Sequence, residues 1–138
     1  GIVEILDNDG DATGIYTRGF AIGEQGSGCF EIPHDYKEGT DLVFHIHWGG
    51  NDAPSGTDYV KWQIKYSVSR DSNTFPDSIT DDEEVAYDTR YKWLRTDITT
   101  IIGATGGVDG GIIKIGDQLN FTIVRVAASG RARASRSR

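Results

Sequence analysis

Between Asp58 and Ser69 every second residue is large and apolar: Val60, Trp62, Ile64, Tyr66 and Val68 alternate with Lys61, Gln63, Lys65 and Ser67. A period of two sends alternate side chains to opposite faces of an extended backbone, so this segment predicts an antiparallel strand with one dry and one wet face. The pattern recurs in Asp41–Trp48, where Leu42, Phe44, Ile46 and Trp48 share one face and Val43, His45 and His47 the other. In Gln118–Ala128 the inward set Leu119, Phe121 and Ile123 gives way to Val124 and Val126. Such a parity change predicts a bulge or a strand passing between sheets.

Weaker strands are expected at Ile2–Leu6, Ile15–Ile22, Cys29–Ile32, Glu84–Thr89, Tyr91–Thr99 and Ile112–Ile115. Turn formers separate them, among them Asn8-Asp9-Gly10-Asp11, Gly49-Gly50-Asn51-Asp52 and Gly116-Asp117. Strand signals at this spacing, without a long 3.6-residue period, give an all-β fold: an antiparallel two-sheet sandwich of jelly-roll-like form. One short helical turn is expected over 97–103, where Ile98, Ile101 and Ile102 fit an i, i+3, i+4 pattern and Gly103 suits a C-cap.

The 138 residues suit one domain, read as 1–128, with 129–138 an Arg- and Ser-rich tail expected to be disordered. The acid-rich run Asp77–Glu84 is also expected to be mobile. Residues 131–138 contain four arginines and no acid, so ten basic groups face 21 acidic ones in the remainder, a net of −11. Such a body repels phosphate backbones and anionic membranes, which argues against either as a partner. No apolar run reaches the ~20 residues of a membrane span. Cys29 is the single cysteine and is expected to sit as a small buried apolar residue.

Several residue groups invite a chemical reading. His45 and His47 at i, i+2 share one strand face and reach one metal ion together. With Gly39 upstream they match the opening of a cupin metal motif. The match then fails, because Asn51 or Asp52 stands where a Glu is needed and no His follows His47. His34, His45 and His47 are the candidate ligands for a transition metal, and no metal or other cofactor is expected. Asp7, Asp9 and Asp11 resemble the start of a calcium loop, but an EF-hand needs Gly at Ala12 and Glu at Arg18. The glycine-rich run 103–111 lacks the Gly-Lys-Ser/Thr ending and the helix that phosphate binding requires. There is no Gly-x-Ser-x-Gly elbow, so no catalytic residue is assigned and an enzyme is not expected. Trp48 and Trp62 fall on apolar faces and read as core; Trp93 and Tyr91 remain as a possible sugar-stacking pair.

The run Pro33-His34-Asp35-Tyr36-Lys37-Glu38-Gly39-Thr40-Asp41, then His45-Ile46-His47-Trp48, then Val60-Lys61-Trp62 to Tyr66, resembles a group of phage and prophage virion proteins. Gly116-Asp117-Gln118-Leu119 leading to Val124-Arg125-Val126 is similar to that group's later Gly-Asp turn and Arg-bearing strand. The resemblance implies a β-sandwich component of a virion, located there and in the host cytoplasm during assembly. It also implies homo-oligomerisation and contacts with other virion proteins, with no catalytic residues to carry over. Proteins of that group continue past the Arg-bearing strand to a last strand, whereas here 129–138 follow. The expectation is a strand that is missing or supplied by another subunit. The alternatives are a carbohydrate-binding β-sandwich and a cupin-like metal protein centred on His34, His45 and His47.

Overall fold

The structure, a computed structural model, describes residues 1–129. Its strands are β1 (Ile2–Leu6), β2 (Ala12–Arg18), β3 (Gln25–Glu31), β4 (Leu42–Gly49), β5 (Asp58–Ser69), β6 (Ile79–Tyr87), β7 (Trp93–Ile101) and β8 (Gln118–Val126). The only helical piece among the described residues is a 3-10 turn at Val108–Gly110.

From β3 onward the chain is one long antiparallel hairpin: β3 pairs with β8, β4 with β7, and β5 with β6. Rolling it up sets β5 against β8 as well, giving a four-stranded sheet ordered β3-β8-β5-β6 and a two-stranded sheet β4-β7. This is a jelly-roll winding in six strands. The β1-β2 hairpin forms a third sheet and pairs with neither of the other two.

The core follows the period-two pattern. Val60, Trp62, Ile64, Tyr66 and Val68 are all buried on one face of β5. From β4, Trp48 is buried and Ile46 and Phe44 pack partly against the same cluster, while Val43, His45 and His47 face outward. Aromatic edge-to-face contacts tie the layers together, Trp48 to Trp62 with centroids 5.9 Å apart and Phe44 to Phe121 at 4.9 Å. Ser67, expected on the wet face, is buried because the β5–β6 connection folds over it. Its Oγ donates to the carbonyl oxygens of Pro76 and Asp77.

Five sequence expectations are corrected. The helical turn over 97–103 is instead the end of β7, and Ile98 is an extra residue there, because Phe44 pairs with Thr99 but His45 with Asp97. A bulge switches side-chain parity, so Ile98 and Ile101 both point inward; their i, i+3 spacing imitates a helix. The bulge expected in β8 is absent, since β8 pairs in unbroken register with both β3 and β5. Ile112–Ile115 is irregular, not a strand. The acidic run is not loose: Ile79–Tyr87 forms β6, paired along its whole length with β5 from Asp58 to Tyr66. Cys29 is exposed, because its parity on β3 is that of the outer face. The tail expected to be disordered lies, beyond Ser129, outside the described residues.

Candidate functional site

A cleft of about 870 Å³ opens between the β1-β2 hairpin and one end of the sandwich. The strands supply its aromatic wall: Trp48 from β4, Trp62 from β5, Tyr87 from β6 and Trp93 from β7, with Tyr91 beside them. Gly50 lets Tyr87 reach this position, because a Cβ there would stand 2.4 Å from the Tyr87 hydroxyl. That hydroxyl donates to the Asp52 carbonyl oxygen. Burial and the nearby Asp52 push the phenol of Tyr87 above its ordinary value. From the hairpin side, Phe20 meets Trp62 edge-to-face at 5.4 Å, and Arg18 stacks over Phe20.

Two donors beside this cleft lack acceptors among the described residues. Trp62 Nε1 and Arg125 Nε are buried without a hydrogen-bond partner among the described residues, although another nitrogen of Arg125, Nη1, donates to the Phe20 carbonyl. Trp48 differs: its Nε1 donates to Thr96 Oγ1 at 2.8 Å, so its ring is fixed as core. Trp93, 48% exposed, is the large aromatic surface the cleft offers to solvent. Tyr91 is half-buried under the Arg90 guanidinium.

The histidines do not converge on a centre. His45 and His47 are neighbours on the outer face of β4, ring centroids 5.1 Å apart. Their partners across the ladder are Asp97 and Arg95, and Arg95 pairs with Asp97 at 3.0 Å. A cation therefore already faces His47. His34 lies in the β3–β4 connection, and no group of three ligating side chains among the described residues includes any histidine. The group that does come together is Asp7, Asp9 and Asp11, with carboxylate oxygens within 4.8 Å of one another in the β1–β2 turn. Asp7 Oδ1 there accepts the N–H groups of Asp9 and Asp11, both at 2.9 Å, so the turn organises its own carboxylate.

One charged constellation was not legible from spacing. Asp117, 1% exposed, accepts Arg70 Nε and Nη2, each at 2.8 Å, and the Lys114 N–H at 2.9 Å. Burial pulls its carboxyl up, but the Arg70 and Lys114 hydrogen bonds outweigh this and hold it below the usual carboxylate range. Arg70 Nη2 also donates to the Ile112 carbonyl, so the pair anchors the irregular 112–117 segment to the end of β5. Its role is architectural. The Gly-Asp turn signal marked the position of Asp117 but not its partner 47 residues away.

No protein-family model matches the chain, and neither a curated protein nor a solved structure does.

Proposed function

We propose that this chain is a non-enzymatic structural protein of a phage-type virion, a capsid, tail or fibre component that works through subunit assembly. It acts in the particle, with the host cytoplasm as its place of assembly, and its partners are further copies of itself and other virion proteins. The observation that carries the reading is the apolar surface left uncovered on elements outside the sandwich. In the β1-β2 hairpin Ile2, Ile15 and Tyr16 are 73%, 60% and 63% exposed. A two-stranded hairpin is marginal on its own in water, and an exposed apolar arm is the kind of surface a neighbouring subunit covers. The motif run from Pro33 to Trp48 supplies the phage assignment, as a resemblance. Light scattering after size exclusion tests the assembly: a closed oligomer is expected, and a strict monomer at every concentration overturns it. A terminase, portal or tail gene beside the reading frame is the matching expectation for the virion assignment.

A second reading, a carbohydrate-binding sandwich, draws on the cleft, where Trp93 is half-exposed and two buried donors lack acceptors among the described residues. Sugars combine an apolar face for stacking with hydroxyl acceptors. A glycan array on which the protein binds nothing removes this reading.

A further inference from the structure

We propose that the free edge of β3 is where a second copy of this chain adds. The two copies pair antiparallel across a two-fold axis at Cys29, and Phe30 of each lies over Gly28 of the other. The inference rests on the assembly reading above and adds to the exposed hairpin a second contact surface, the β3 edge.

Backbone direction identifies the available groups. Arg125 N–H donates to the Glu24 carbonyl and Ile32 N–H to the Asp117 carbonyl, both in the β3–β8 register. Even-numbered residues of β3 therefore turn their hydrogen-bonding groups toward β8, and the odd-numbered ones turn theirs outward. Ser27, Cys29 and Glu31, all exposed, present a row of donors and acceptors at the sheet edge. At one end the row stops at Gln25, whose carbonyl is taken by Arg18 Nη2. At the other it stops at Pro33, which has no N–H. The usable stretch is Ser27–Glu31, and its midpoint is Cys29.

That register makes the patch complementary to itself, as a two-fold contact requires. A pairing centred on residue 29 sets residue 28 of one copy opposite residue 30 of the other. Phe30 has the core-facing parity of its neighbour Leu119, yet it is 44% exposed, with none of the described residues covering it beyond the sheet edge. Gly28 has no side chain, and the space over it holds the Phe121 ring, 2.8 Å from where a Cβ would stand, so the partner's Phe30 meets the edge of that ring across the glycine. An aromatic ring over an edge glycine of the opposing strand is a stabilising cross-strand pair.

Charge selects this edge over the other one. The far edge of the same sheet, β6, carries Asp81, Asp82, Glu83 and Glu84 in succession. Pairing two such edges would oppose like charges, which blocks association there. Between Glu24 and Glu31, β3 carries neither charge nor proline. In a chain of net charge −7, that neutral edge is where two copies meet with least repulsion.

Cys29 makes the register measurable. In a hydrogen-bonded antiparallel pair the Cα atoms lie about 5.5 Å apart, inside the range a disulfide spans. The full chain is held at concentrations above and below its association midpoint and treated with copper(II)-phenanthroline. The oxidant takes two electrons, and two protons are released, as the two thiols join. Crosslinking to a dimer above the midpoint, and its loss below, is expected. Ser27→Pro removes an N–H that does not bond to β8 and is tolerated at an edge. It also removes the hydrogen bond between Ser27 Oγ and Thr122 Oγ1, so Ser27→Ala is the reference; relative to that variant it should leave the circular dichroism spectrum and melting temperature unchanged and weaken association by on the order of tenfold. Phe30→Ser should weaken association and crosslinking together, and it serves if the proline variant does not fold. An oligomer that persists undiminished in the variants, with no Cys29 crosslink, overturns the β3 interface and leaves the assembly reading standing. A wild-type chain that is monomeric throughout overturns both.

Discussion

At Gly103 there is no space for a methyl group. A Cβ there would stand 1.8 Å from the Thr40 carbonyl oxygen, and backbone cannot swing aside as a side-chain tip can. The Gly103 N–H bonds to Asp41 Oδ1 and its carbonyl accepts from Ile113 N–H, so three segments cross at this point. Gly103→Ala is expected to destabilise by about 3 kcal/mol, read from chemical denaturation. Asp117→Asn is expected to cost about 3 kcal/mol by the same measurement, because it leaves the Arg70 guanidinium without its bidentate partner. The pH dependence has a definite sign. The folded carboxyl is depressed, so its stabilisation is complete above the unfolded carboxylate range and lost as pH falls through the folded value. The asparagine variant should therefore show a flatter loss of stability in acid than the wild type. Neither residue's role was legible in the sequence. Gly103 read as a C-cap or a loop residue, and the Arg70–Asp117 contact joins positions with no local spacing to reveal it.

Single elements were legible to the extent that burial alternates. β5 was read with its bounds intact, because each of its inward residues is large and each outward one polar. β4 was read on the correct face for the same reason. The failures share a physical origin in contacts the local pattern cannot see. Ile98 and Ile101 imitated a helix because a bulge shifted parity. The first part of β6, up to Glu84, looked like a mobile acidic loop, since its order comes from the β5 ladder and not from its own composition. Asp81 on β6 even turns toward the other sheet, where Thr99 Oγ1 donates to it at 2.6 Å. Ile64, 0% exposed at the centre of β5, is the element's anchor. Ile64→Ala should cost about 3 kcal/mol, measured as a shift in the denaturation midpoint at unchanged slope.

For the molecule as a whole, acid is the better represented charge, and salt is the lever that acts on it. With a net charge of −7, association at the β3 edge works against long-range repulsion. Raising ionic strength shortens the Debye length from about 10 Å at 0.1 M to about 3 Å at 1 M. Sedimentation equilibrium should accordingly show tighter association at high salt than at low. At the alkaline end the phenols of Tyr66 and Tyr87 matter, both raised by burial with a nearby carboxylate adding to it, Asp81 for one and Asp52 for the other. A raised folded value means their contribution is full below the unfolded tyrosine range and is lost as pH rises through the folded one. These two should ionise above the ordinary tyrosine range in a titration followed by ultraviolet absorbance, and unfolding should accompany them.

The rolled hairpin also dictates a timetable. Within the β3–β8 winding the β5–β6 turn is the nearest contact along the chain, whereas closing β3 on β8 joins Gln25 to Val124. Loop-closure entropy rises with separation, so the tip nucleates and the ladder zips toward the termini, with β3 the last strand to dock. Refolding is expected on the order of milliseconds to seconds, the range for chains dominated by non-local pairing. During that interval β8 waits with an open flank, and a copy that arrives early meets a vacancy shaped for β3 itself. Strand exchange between nascent chains is thus the characteristic error of this winding, and dilute refolding is the condition that suppresses it.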